Sequence, residues 1–157
     1  MNLAHGIFRF VWNQSWIGLR YKKAVYKRLC NYGEVPDAPF STDFFGLQYK
    51  GNLNNSVEFA LFYLGAFEKP LLFFLQDTML NLKKSHGESP QNFIDIGANI
   101  GQHSLFMSLH ADQVHSFEPY AAVSQKLERH IALNAISNIQ LHKVGLSNKP
   151  EELDFFA

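Results

Sequence analysis

Within residues 93–104, FIDIGANIGQHS, an aspartate, two glycines and an asparagine stand close enough to form one ligand-facing turn. Gly97 and Gly101 flank Asn99 where an apolar strand must become a helix. Glycine there admits φ > 0, or lets another group approach where a Cβ would block it. A second carboxylate, Glu118 in VHSFEPY, ends the next strand 23 residues after Asp95. A carboxylate so placed accepts hydrogen bonds from both hydroxyls of a ribose. In an open parallel sheet, ligands bind beyond the carboxyl ends of the strands, and the first strand-to-helix turn is the usual place.

Two ligand classes compete for this turn. A dinucleotide wants G-x-G-x-x-G, which counted from Gly97 demands glycine at 99 and 102; the chain has Asn99 and Gln102. S-adenosylmethionine has no phosphate and presents an ammonium, a carboxylate, a ribose diol and an adenine. Asp95 and the turn carbonyls suit the ammonium, the N–H groups of the helix start suit the carboxylate, and Glu118 suits the diol. Each residue also has a bland reading: Asp95 as a cap for the helix at Gly101, Asn99 as a turn residue tolerated in the left-handed region. His103 in the first helical turn either reaches the methionine carboxylate or is an ordinary surface histidine. The seven histidines show no metal-ligand spacing, so no metal is assigned.

The elements that position these residues follow from periodicity and punctuation. After Pro90, strands at 92–96, 114–118 and 139–144 alternate with helices from about Gly101 to His110 and from about 121 to 134. That order predicts βαβ units and a parallel sheet. Upstream, Asn55 and Glu58 have capping-box spacing ahead of a short helix closed by Gly65, and Pro70 suits the first turn of a second helix. FFGLQYKG reads as one strand, and GEVPDAPFSTD, residues 33–43, as a linker. The expected fold is α/β: a partial Rossmann-like parallel sheet with helices, preceded by a helical N-terminal segment. Its divisions are a basic aromatic segment and linker at 1–42, a strand and two helices at 43–90, and the Rossmann-like domain at 91–157.

FIDIGANIGQHS, VHSFEPYAAV and LERHIALNAISNIQLHKVGLS resemble, in order and spacing, the FkbM-type S-adenosylmethionine-dependent methyltransferases of class I, most of which methylate hydroxyl oxygens. FFGLQYKGNLNNSVEFALFYLGAFEK looks like the segment that often precedes that core, so the resemblance runs over roughly residues 43–157. It implies that Asp95, Gly97, Ala98, Asn99 and Gly101 form the methionine-side loop and that Glu118 binds ribose. Pro119 would shape the turn beside the adenine, with Gly145 and Leu146 at its edge. The implied activity is methyl transfer to a hydroxyl of a small molecule, sugar or lipid, with no residue named as the base. Such a sheet normally has seven strands and this sequence supplies three or four. The expectation is therefore an amino-terminal part, inactive and self-associating in isolation. The alternative is a non-catalytic binding protein derived from the fold.

Composition sets the outer limits. At 157 residues and 46% hydrophobic, the chain belongs with folded rather than disordered sequences. One cysteine, Cys30, cannot form an internal disulfide, which fits a reducing, cytoplasmic location. The first 33 residues hold six of the fourteen bases and no acid, leaving eight bases against fourteen acids. No nucleic-acid partner is read from this balance. Phe8, Val11, Trp12, Trp16 and Leu19 recur at helical spacing within that basic stretch. A core-facing stripe is the preferred reading, ahead of residues 7–28 lying on a membrane surface.

Overall fold

The computed structural model describes residues 3–29, 37–87, 89–149 and 151–152. Cys30, the start of the linker and residues 153–157 of the terminal ELDFFA lie outside them. The chain divides into two compact units, Met1–Phe67 and Glu68–Ala157.

The first unit contains helices α1 (Leu3–Trp12) and α2 (Leu19–Leu29), strands β1 (Pro39–Phe44) and β2 (Leu47–Asn52), and helix α3 (Ser56–Leu64). The expected linker through Asp43 and single strand after it are corrected here: β1 and β2 form an antiparallel hairpin, registered from Pro39↔Asn52 to Phe44↔Leu47. The reason is the Phe45-Gly46 turn, whose φ values of 52° and 90° are both positive, as a two-residue type I′ hairpin requires. Phe40, Phe44 and Tyr49 are buried on one face of the hairpin, where the Phe40 and Phe62 ring centroids lie 4.8 Å apart. Asn55 caps α3, accepting from the Val57 and Glu58 amides at 3.0 and 3.1 Å, and Gly65 closes the helix at φ 84°. Glu58 does not complete the capping box. Its buried carboxylate accepts from the Asn52 amide at 3.2 Å and the Tyr49 hydroxyl at 3.4 Å. Burial, then the Glu58 charge, pushes the Tyr49 phenol far above its ordinary range.

The aromatic stripe of the N-terminus divides. Phe8 is buried against Tyr63 at 5.3 Å and Trp12 at 5.5 Å, but Trp16 is 80% and Leu19 57% exposed. The core-facing reading is thus corrected for the second half of the stripe. Residues 13–18, NQSWIG, stop α1, because polar side chains compete for the backbone and glycine lowers helix propensity.

The second unit runs α4 (Lys69–His86), β3 (Asn92–Ile96), α5 (Gln102–Met107), β4 (Gln113–Phe117), α6 (Ala121–Leu133) and β5 (Ile139–His142). The three strands pair in parallel in the order β3-β4-β5, with Asp95 opposite Ser116 and Ser116 opposite Leu141, and Ile96 opposite Phe117 and Phe117 opposite His142. The α/β class expected from strand and helix alternation is what the chain adopts. Two elements are shorter than periodicity suggested: α5 ends at Met107, and β5 ends at His142. Helix α5 lies against β3 and β4, and α6 against β5 and α5, so both cover one sheet face. Val114 and Ser116 are buried beneath them. Asp112 accepts from the Gln91 amide at 2.6 Å and the Lys83 ammonium at 2.7 Å, tying the end of α4 to the starts of β3 and β4.

Candidate functional site

At the carboxyl end of β3 the chain turns through residues 97–101 with positive φ at Gly97, Asn99 and Gly101: 77°, 52° and 83°. The two glycines do different work. A Cβ on Gly97 would meet nothing within 4 Å, whereas one on Gly101 would lie 2.3 Å from Leu127 Cδ1 of α6. Gly97 therefore leaves space open at the strand end, and Gly101 lets the turn seat on the core.

The turn is closed by its own hydrogen bonds. The Gly97 and Ala98 amides both donate to the Phe117 carbonyl, at 2.9 and 3.0 Å, and the Gly101 amide donates to the Ala98 carbonyl at 2.8 Å. The Asn99 amide donates to Glu118 Oε2 at 2.8 Å, and the Ile100 amide to Asn99 Oδ1 at 2.8 Å. Sequence reading left the N–H groups of the helix start, from about Gly101, open to a ligand carboxylate. The amides of residues 97–101 are all committed within the protein, so of those groups the Gly101 amide is taken.

Glu118 is the centre of the arrangement. It is 7% exposed. Its other oxygen, Oε1, accepts from the Tyr120 amide at 2.9 Å, and its own amide continues the sheet by donating to the His142 carbonyl at 3.0 Å. Two backbone amides thus aim this carboxylate, no cation among the described residues pairs with it, and each oxygen keeps a second lone pair.

Asp95 occupies the sheet face beneath α5. Its Oδ2 accepts from Ser104 Oγ at 2.5 Å, and Ser104 Oγ in turn accepts from Ser116 Oγ at 2.7 Å. Ser104 and Ser116 are fully buried. Sequence reading missed both. The signal was available in the alternation of β4, which puts a small polar residue, Ser116, on the covered face directly opposite Asp95. Asp95 Oδ1 has no protein partner among the described residues.

The remaining candidates spread outward. Pro119 stands beside Gly145, where a Cβ on the glycine would lie 3.8 Å from Pro119 Cγ. Leu146 is 55% exposed. His103 is half-buried, and its Nε2 is shut off from solvent without a hydrogen-bond partner among the described residues; it is no ordinary surface histidine. Gln102, which stands where a dinucleotide fingerprint wants its last glycine, is buried. The structure therefore joins the turn at 97–101 to Glu118 and Pro119, sets Gly145 alongside, and supports Asp95 from below. Among the described residues, no group of three histidine, cysteine or acidic side chains could hold a metal ion.

No family model matches the chain, and neither does any curated protein. Among solved structures it is similar to TYW2 of P. horikoshii in complex with MeSAdo, at 17% identity, over 84% of this chain and 50% of that one, with a TM-score of 0.49. It is also similar to a SAM-dependent methyltransferase from Agrobacterium tumefaciens (13% identity, 71% and 34% coverage, TM-score 0.48). A third likeness is to TYW2 of M. jannaschii in complex with AdoMet (14%, 70% and 44%, TM-score 0.46). The chain spans half or less of the length of each of these structures. With TM-scores below 0.5, these likenesses assign no role to any residue.

Proposed function

We propose that the turn at 97–101 and Glu118 hold S-adenosylmethionine, and that the chain serves methyl transfer of the class I, FkbM-like kind to a hydroxyl oxygen of a small molecule, sugar or lipid. The observation that carries this reading is Glu118, a nearly buried carboxylate with no paired cation among the described residues, aimed by two backbone amides at the end of β4. A ribose diol offers two donors to its free lone pairs. Asp95 Oδ1 is the acceptor left for an ammonium, and Gly97 leaves the space that a Cβ would narrow. Because the amides of residues 97–101 are committed, donors for the ligand's carboxylate come from residues beyond Gly101.

S-adenosylmethionine supplies a methyl group activated on a sulfonium. The protein's part is to orient it and to keep competing water away. A dinucleotide fits less well, since its pyrophosphate needs glycine where Asn99 and the buried Gln102 stand.

Calorimetric titration of the chain with S-adenosylmethionine and, separately, with NAD tests the reading. S-adenosylmethionine is expected to bind, and Glu118→Ala to weaken that binding by roughly tenfold or more, as loss of a charge-assisted acceptor does. Circular dichroism of the variant checks that its fold is kept. Tighter binding of NAD, or no binding by the folded chain, would overturn the assignment.

A further inference from the structure

Five large apolar side chains in the first two helices and their turn stay in water although Phe8, between them in sequence, is buried. They are Ile7 (58% exposed), Phe10 (68%), Trp16 (80%), Leu19 (57%) and Tyr21 (69%). Singly such exposure needs no explanation, but several together within residues 7–21 mark an interaction surface. The same stretch is strongly basic. Helix α2, LRYKKAVYKRL, holds five bases and no acid. Arg9 is already engaged, donating to Thr42 and lying over the Phe62 ring at 4.6 Å. The cations of α2 have no acidic partner on their own helix.

We infer that α1, the turn after it and α2 form a docking face for an anionic lipid surface. Charge decides among the candidate occupants. A second copy of the chain docked through this face would bring two acid-free basic helices together, which is repulsive. A nucleic acid would satisfy the cations, but bases stack on rings, and Ile7 and Leu19 offer none. A bilayer with anionic headgroups answers both halves of the pattern. Aliphatic and aromatic side chains enter the boundary between headgroups and acyl chains, with Trp and Tyr favoured there, while Lys and Arg remain among the phosphates. The segment lies on such a surface and does not cross it: among the described residues no helix is long and apolar enough to span a membrane.

The test is co-sedimentation of the chain with phosphatidylcholine vesicles and with vesicles of about one part phosphatidylserine to three of phosphatidylcholine. Binding is expected to the second only, and to fall with added salt. The Arg20→Gln and Lys22→Gln substitutions should each weaken it by roughly fivefold. Joint substitution of Phe10 and Trp16 by serine should weaken it by roughly tenfold or more, with an unchanged circular dichroism spectrum. In a Trp12→Phe background, Trp16 is the only tryptophan, and its emission should move to the blue when anionic vesicles are added. Equal binding to both vesicles, no binding to either, capture of a mixed-sequence single-stranded RNA without vesicle binding, or a dimer abolished by Trp16→Ser without vesicle binding would each overturn the inference.

Discussion

Glu118 shows how little a side chain's identity says until its partners are known. Both of its oxygens accept backbone amides, from Asn99 and from Tyr120, so it is at once a latch for the turn and the proposed seat of a ribose. The two roles separate experimentally. In Glu118→Gln the side-chain NH₂ must face one of those amides, donor against donor, and leave it unsatisfied in a nearly buried site. The expected cost is about 1–3 kcal/mol of stability, measured as a shift in urea midpoint. If the carboxylate were free of both amides, the isosteric change would be close to neutral. Asn99 makes the same point on a smaller scale. Its positive φ of 52° is bearable because its side chain accepts from the next amide, a local bond that asparagine can form and most residues cannot.

Among the elements, the contrast between the two glycines is sharpest. Both have positive φ, so alanine at either is strained by about 1 kcal/mol or somewhat more. At Gly97 there is nothing further to pay for in the fold, since the added methyl meets open space. At Gly101 it must displace Leu127, a fully buried residue of α6, from 2.3 Å. Gly101→Ala is therefore expected to cost about 3 kcal/mol or more, and Gly97→Ala about 1 kcal/mol. Thermal or urea unfolding compares them directly, and equal losses would contradict the placement of the turn between open space and core. Gly97→Ala should in addition weaken S-adenosylmethionine by narrowing the space above the strand. The serine pair beneath Asp95 belongs to the same scale: α5 is short, yet Ser104 ties it to both β3 and β4 through Asp95 and Ser116.

At the scale of the molecule, the acid side of the stability curve follows from two groups of the second unit. Burial first, then the nearby Lys83 charge, lowers the His110 pKa from 6.5. The folded chain thus takes up that proton less readily than the unfolded one, so this contribution to stability is fully present above 6.5 and is lost as pH falls below 6.5 through the lower folded-state value. Asp112 is lowered from 3.8, first by the hydrogen bond from Lys83 and then by the Gln91 amide. Its contribution is present above 3.8 and disappears as pH falls through its folded-state value. Urea midpoints measured from about pH 7 to pH 5 should fall less in His110→Gln than in the parent, while Asp112→Asn leaves that interval unchanged and flattens the more acidic one. Much of the fold was legible beforehand. Strand 92–96, the two helices after it and the cap at Asn55 depend on residues near one another in sequence, where φ/ψ preference and periodicity act directly. So does the presence of a glycine turn between a strand and a helix. What only the tertiary structure decided are the pairings made across the chain: the Asn99 amide with a carboxylate 19 residues on, Gly101 against Leu127, and Asp95 with Ser104 rather than with the helix end. The pairing of β1 with β2 and the exposure of Trp16 and Leu19 belong with them, because a hydrophobic run says which residues can be buried but not against what. Whether a given amide, lone pair or ring is spent inside the fold or left for a ligand or a membrane is settled by its neighbours in space, and periodicity along the chain carries no information about them.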